Sequence, residues 1–115
     1  MPSFSFRPKH RLLTKQDYSQ VFDQVDQRVG KGPILLLARK NQLDHPRLGL
    51  VVRKKFLKLA TDRNQLKRLA RENFRLRQHH LPSMDIILMN RSGCADKKPE
   101  QLNRYIQQAL ASLKS

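Results

Sequence analysis

The feature that most restricts the fold is a strongly amphipathic segment at residues 61–79, flanked on each side by a short apolar run. Stepping about 100° per residue from Arg63 places Lys67, Arg71, Asn64, Arg75 and Arg68 within an arc of about 140°. Leu66, Leu69, Ala70 and Leu76 fall opposite, Phe74 lies at the boundary and Glu72 falls outside the basic arc. Such a segment is a helix that buries one stripe and leaves the other to solvent or a ligand. Its neighbours have the other period. Leu48, Leu50 and Val52 alternate with Arg47, Gly49, Val51 and Arg53, which marks a strand. Residues 84–89 are a second apolar run of strand length, and Pro82 stops the helix before it. A strand-helix-strand unit over residues 47–90 follows, with a basic loop at residues 54–59. Gly49 inside its strand predicts that another group approaches closely there.

The remaining elements fit around that unit. Thr14 followed by Asp17 forms a capping box, and Tyr18, Val21, Phe22 and Val25 recur at helical spacing, which predicts a helix over residues 15–26. Gly30, Gly32 and Pro33 interrupt the pattern, and residues 34–38 are too short for a buried helix, so they read as a strand covered on both faces. A further short strand near Val29 would make four. Residues 41–46 and 91–93 are turns, and Pro99-Glu100 opens a last helix carrying Leu102, Tyr105, Ile106, Ala109, Leu110 and Leu113 on one side. The expected class is α+β in the order α-β-β-β-α-β-α, with a mixed, mainly antiparallel sheet of three to four strands. The pattern does not fix the strand order. A chain of 115 residues suits a single domain. Residues 1–11 read as a flexible basic arm whose Arg7, Lys9 and Arg11 could touch phosphates.

Charge narrows the function. Lys and Arg number 24 against 9 Asp and Glu, a net charge of +15. A field of that strength favours a polyanionic partner, and nucleic acid is the usual one. Membrane-surface binding is disfavoured, because the chain has no Trp to anchor it and its apolar stripes are needed for the core. Cys94 is the only cysteine, which excludes a disulfide framework and suits a reducing cytoplasm. No secretory signal or membrane-length apolar run is present, which agrees with that compartment.

Ordinary solvated helix faces mix charge signs, whereas Arg63, Lys67, Arg71 and Arg75 place like charges at successive i to i+4 positions. Arg63 also occupies the first turn, where the helix dipole favours an anion. A bound phosphate backbone would relieve both penalties. The acids are scattered, Ser, His and Cys show no nucleophile-base spacing, and the adjacent His79 and His80 point in different directions. No self-sufficient catalytic centre is expected, which argues against a protein nuclease.

Arg47-Leu48-Gly49, Val51-Val52-Arg53-Lys54-Lys55, Arg63-Asn64, Lys67-Arg68, Arg71-Glu72 and Phe74-Arg75 together resemble the signature of the bacterial ribonuclease P protein subunit. Lys15, Asp17, Tyr18, Val21 and Phe22, and Asp85-Ile86-Ile87 followed by Arg91, extend the resemblance to residues 11–92. The resemblance implies an accessory subunit of a ribonucleoprotein endonuclease. Its RNA hydrolyses the bond joining the 5′ leader to precursor tRNA. It further implies that Arg53, Lys54, Lys55, Arg63, Asn64, Lys67, Arg68, Arg71 and Arg75 contact the RNA subunit, and that Lys15, Tyr18, Phe22 and Arg47 border a leader cleft between the first helix and the sheet. In that family the crossover of the strand-helix-strand unit is left-handed. It implies Mg2+ in the particle, no cofactor on the protein alone, and RNA partners rather than a stable protein partner. Gln65 departs from the family's usual Arg but points about 200° from Arg63, away from the basic arc. From the residues alone, a ribosomal or other structured-RNA-binding protein remains open. A DNA-reading helix fits less well, since side chains suited to base edges are scarce along the arc.

Overall fold

The computed structural model describes residues 8–115. Helix α1 spans Lys15–Asp23, followed by strands β1 (Gln27–Lys31), β2 (Ile34–Lys40) and β3 (Arg47–Val51). Helix α2 (Ala60–Arg77), strand β4 (Met84–Asn90) and helix α3 (Pro99–Ala111) complete the order α-β-β-β-α-β-α. The sheet order is β1-β2-β4-β3, antiparallel at β1–β2 and β2–β4 and parallel at β3–β4. The fold class is as expected, with the strand near Val29 present as β1.

Strand β4 occupies an inner position and is buried along almost its whole length, because helices cover both sheet faces. Ile34, Leu36 and Ala38 of β2 and Ile86 and Leu88 of β4 face α2 and α3, and with Leu66, Ala70, Phe74, Ile106 and Leu110 they form the main core. On the opposite face Val21 of α1 packs with Leu12 and Ile87. The β1–β2 hairpin closes through Gly32-Pro33, where Gly32 has φ 54, a left-handed conformation that favours glycine. Tyr105 lies over that glycine, with ring carbon Cε1 2.7 Å from where a Cβ would stand.

The structure corrects four sequence expectations. Helix α1 ends at Asp23 instead of 26, so Val25 leaves the helical stripe and is exposed. Phe74, placed at the boundary of α2, is fully buried, whereas Leu76, placed in the core arc, is 52% exposed. The buried stripe of α2, Asn73, Leu66, Ala70 and Phe74, spans about 100° on the helical projection and is turned away from Leu76, and at its edge Asn73 Nδ2 donates to Asn103 Oδ1 at 2.7 Å. Strand β2 has one fully buried face and one only partly covered, because α1 is too short to span the sheet. Of the segment read as a flexible arm, residues 1–7 lie outside the described residues and the remainder is held in place. Pro8–His10 form a 3-10 turn, and Arg11 pairs with Leu48 in a parallel bridge.

Candidate nucleic-acid interface

Strand β3 is an edge strand, and its outer backbone groups need partners. Leu12 N–H donates to Leu48 O at 3.0 Å, and Leu50 N–H donates to the Tyr18 hydroxyl at 3.2 Å. Gly49 permits this cover. A Cβ there would stand 2.7 Å from Tyr18 Cε1 and 2.8 Å from Leu12 Cδ1, which is the close approach that its position in the strand predicts. Beside the covered edge lies a cavity of about 170 Å³, where Arg11 and Tyr18 meet Lys67 and Arg71 of α2 above Leu48 and Leu50. The sequence reading assigned Tyr18 to one RNA and Lys67 and Arg71 to another, yet the fold brings the three together.

The face of the sheet beneath α1 is organised in cross-strand rows. Leu37, Ile87 and Gly49 form one row, closed over by Val21 and Tyr18. The next row toward the other end is Gly30, Leu35, Met89 and Val51, of which Leu35, Met89 and Val51 are half-buried. Phe22, one turn beyond Tyr18 on α1, is 44% exposed. Two guanidinium groups are anchored near this row. Arg91 Nε donates to Gly32 O at 2.8 Å and lies against Gly30, while Arg53 donates to Asn90 O and stands 4.8 Å from the centre of the Phe56 ring. Exposed Phe22 and this half-open row form an apolar strip on the α1 face. Lys15 is exposed at the start of α1.

Arg47 is placed otherwise than as an open phosphate contact. Its Nε and Nη2 each donate to the Asp85 carboxylate at 2.7 Å, and Asp17 lies 3.8 Å away. The Asp85 bonds, opposed by partial burial, hold the guanidinium pKa above its ordinary value. Asp17 is raised by burial, but the Thr14 and Leu13 N–H groups and then Arg47 outweigh this and leave its pKa below the usual carboxylate value. The capping box is present as predicted: Asp17 N–H donates to Thr14 Oγ1 at 3.1 Å and Thr14 N–H to Asp17 Oδ2 at 3.2 Å.

The basic loop is held at both ends. Arg53 N–H donates to Asn90 Oδ1 at 2.6 Å and Asn90 Nδ2 donates to Arg53 O at 3.0 Å, so the buried amide continues the β3–β4 ladder beyond Val51. At the far end Arg63 Nη1 donates to Leu57 O at 2.9 Å and to Lys58 O at 2.8 Å. Arg63 therefore serves the loop, and those carbonyls offset its unfavourable place in the first turn. Between these anchors Lys54 and Lys55 are exposed, with Lys55 Nζ 5.5 Å from the centre of the Phe56 ring. Arg75 pairs with Glu72 one turn away. The row of like charges is thus compensated at its ends, while Lys67 and Arg71 at its centre make no hydrogen bond or ion pair among the described residues. Asn64 and Arg68 are exposed beside them, as is Gln65.

Sequence reasoning missed Asn90 and Leu12 as organisers of this surface. A polar residue ending an apolar run carries no sign of the carbonyl and amide it will meet. Cys94 is buried, and burial, then Asp62, pushes its thiol up to about 11, so it is no nucleophile. Among the described residues no group of three or more His, Cys, Asp or Glu side chains could hold a metal ion.

Three comparisons bear on this surface. The model of the family described as Ribonuclease P matches residues 6–114. The chain is 47% identical over 113 residues to the ribonuclease P protein component of Serratia proteamaculans, covering 98% of this chain and 91% of the relative. It is 45% identical to that of Escherichia coli over the same shares. Among solved structures, the Staphylococcus aureus RNase P protein superposes with a TM-score of 0.81 at 29% identity, covering 89% of this chain and 93% of that one. The Thermotoga maritima RNase P protein superposes with a TM-score of 0.78 at 29% identity, covering 91% and 98%. With this match over nearly its whole length, the chain belongs to the ribonuclease P protein family.

Proposed function

We propose that the chain, as the protein component of ribonuclease P, divides its surface between two RNAs. The α2 arc and the clamped loop, through Lys54, Lys55, Asn64, Lys67, Arg68 and Arg71, meet the backbone of the RNA subunit. Arg53, Arg63 and Arg75 flank these contacts and shape them. The half-open row beneath α1, with Phe22, Tyr18 and Lys15 along one side, receives the single-stranded 5′ leader of precursor tRNA. Arg47 acts there by fixing Asp85 and α1. The observation that carries this reading is the segregation of two surfaces. Lys67 and Arg71, which make no internal hydrogen bond or ion pair among the described residues, stand with other exposed cations on α2 and the loop, whereas exposed Phe22 and half-buried apolar groups line the α1 face, with Tyr18 where the two meet. Phosphate-dense structured RNA suits the first, and unpaired bases that can stack suit the second.

The RNA subunit carries the hydrolysis, with Mg2+ as its ion, and the protein lowers the repulsion that the ion would otherwise screen. Activity should therefore need less Mg2+ when the protein is present. The reaction would take place in the cytoplasm, where precursor tRNA is processed. To test this, the protein is mixed with the RNA subunit and precursor tRNA at low Mg2+ and 5′ processing is followed. Processing that depends on the protein, and that weakens when the leader is shortened, supports both assignments. Processing indifferent to leader length removes the leader cleft. No stimulation at any Mg2+ concentration, with co-purifying ribosomal RNA, would favour a different structured RNA as partner.

A further inference from the structure

We infer that His45 is a positioning residue for RNA binding: its ring clasps the backbone of Lys9 to the turn before β3 and so turns Lys9 and Arg11 outward, toward an RNA backbone. This rests on the reading of the chain as an RNA-backbone binder and adds to it a residue that acts through others. The backbone of His45 is itself fixed from two sides. Pro46 confines the residue ahead of it to extended backbone. Asn41 Nδ2 donates to His45 O at 3.1 Å, while Asn41 Oδ1 accepts from Leu43 N–H at 2.9 Å. From this braced turn the ring reaches the segment before α1. Its Nε2 stands 3.0 Å from Lys9 O and its Nδ1 2.8 Å from Asp44 Oδ1. A carbonyl oxygen can only accept, so Nε2 carries a hydrogen and donates to Lys9 O. A hydrogen on Nδ1 satisfies the Asp44 carboxylate in the same way. The Asp44 carboxyl is held below its ordinary value, first by this hydrogen bond and then by the charge of the ring.

The clasp decides which way the neighbouring side chains point. His10 is 9% exposed, and its ring meets that of His45 edge-on, with centres 5.6 Å apart and planes at 89°. Lys9 and Arg11, on either side of His10, are exposed. Seating His10 inward while holding Lys9 O therefore sends both cations outward. Arg11 N–H donates to Pro8 O at 3.0 Å, and the segment then joins the β3 edge through the Arg11–Leu48 bridge and the bond from Leu12 N–H to Leu48 O. Arg11 arrives beside Lys67 and Arg71, so the segment prolongs the basic surface of α2. A cation already held in place loses less freedom on meeting a phosphate than one on a loose segment, which is how a clasp outside the contact raises affinity. The titratable groups facing the His45 ring are Lys9 and His10 from this segment, Asp44 from its own turn and His79 from just beyond α2, around a cavity of about 280 Å³. Among the described residues lining that cavity Asp44 is the only acid, and it is the one bonded to the ring.

The test titrates the full chain with the RNA subunit of ribonuclease P at low Mg2+ and, on the same proteins, follows hydrogen exchange at the Leu12 amide and the Asp44 carboxyl resonance. His45→Ala removes one hydrogen bond from the segment. It should weaken RNA-subunit binding about fivefold and speed Leu12 exchange by a similar factor. His45→Gln keeps an N–H able to reach Lys9 O and should restore both, although the Asp44 carboxyl then titrates nearer the ordinary value of about 3.9. In a chain carrying Lys9→Gln and Arg11→Gln, adding His45→Ala should cost no further affinity, because the residue acts through those cations. Unchanged affinity in His45→Ala while Leu12 exchange accelerates would show a clasp that only holds the segment, and overturns the inference. So does an equal loss in His45→Ala and His45→Gln, or the same loss with and without the two cations. In each of these cases the natural chain still binds the RNA subunit and the broader reading survives. If the natural chain does not bind it, that reading fails and the inference fails with it.

Discussion

Asp85 is 3% exposed, and its charge is balanced by the two Arg47 bonds and by Asn41 Nδ2 at 3.0 Å. Breaking such a pair leaves a carboxylate largely out of water, which costs several kcal/mol. Because the Arg47 side chain is 21% exposed, the low end applies. Arg47→Ala should destabilise the protein by about 3 kcal/mol in denaturant titration, and Asp85→Asn in the same chain should recover part of that loss. Asp17 predicts a pH dependence. Its pKa is lower folded than unfolded, so its contribution is present above the unfolded value of about 3.9. It is lost as pH falls through the folded value. Thermal midpoints should therefore drop below about pH 4, and Asp17→Asn should flatten that part of the profile while lowering the midpoint at neutral pH.

At the scale of elements, the loop between β3 and α2 shows how a backbone contact sets a binding surface. Asn90 is 0% exposed and its amide makes a paired contact with the Arg53 backbone. That contact fixes where the chain leaves the sheet and hence where Lys54 and Lys55 stand. Asn90→Ala leaves the Arg53 N–H and C=O without these partners, at a cost of about 1–3 kcal/mol. It should also weaken RNA-subunit binding several-fold with every lysine still in place. Asn90→Ala combined with Lys54→Ala and Lys55→Ala should then weaken binding no further than the lysine changes alone. An additive loss would show that the clamp does not act through the loop. The elements themselves were legible in the sequence because each has a period of its own: 3.6 for α2 and α3, two for β3, a continuous apolar run for β4. Helix ends were less legible. Helix α1 stops at Asp23, and the alternation of Arg28 and Val29 beside Gly32-Pro33 was too short to separate β1 from a turn.

For the whole molecule, a net charge of +15 means that most affinity for RNA comes from released counterions. Replacing Lys67 and Arg68 together by Ala should weaken RNA binding and reduce the slope of log affinity against log salt by about 1.5, two phosphates' worth. An unchanged slope would remove α2 from the interface. The sequence by itself determined the element order, the α+β class, the basic arc of α2 and the family, because these depend on local period, charge and spacing. Tertiary structure alone decided which cations are available. Arg47, Arg53, Arg63 and Arg75 read in the sequence as phosphate contacts like their neighbours, yet Arg47, Arg53 and Arg63 meet a carboxylate or carbonyl brought to them by the fold, and Arg75 pairs with Glu72 one turn away on its own helix. Lys67 and Arg71 meet none and instead share a cavity with Tyr18. Whether a charge is neutralised inside the protein depends on groups distant in the chain, as with Arg47 and Asp85 across the parallel β3–β4 pair, and no local pattern records that pairing.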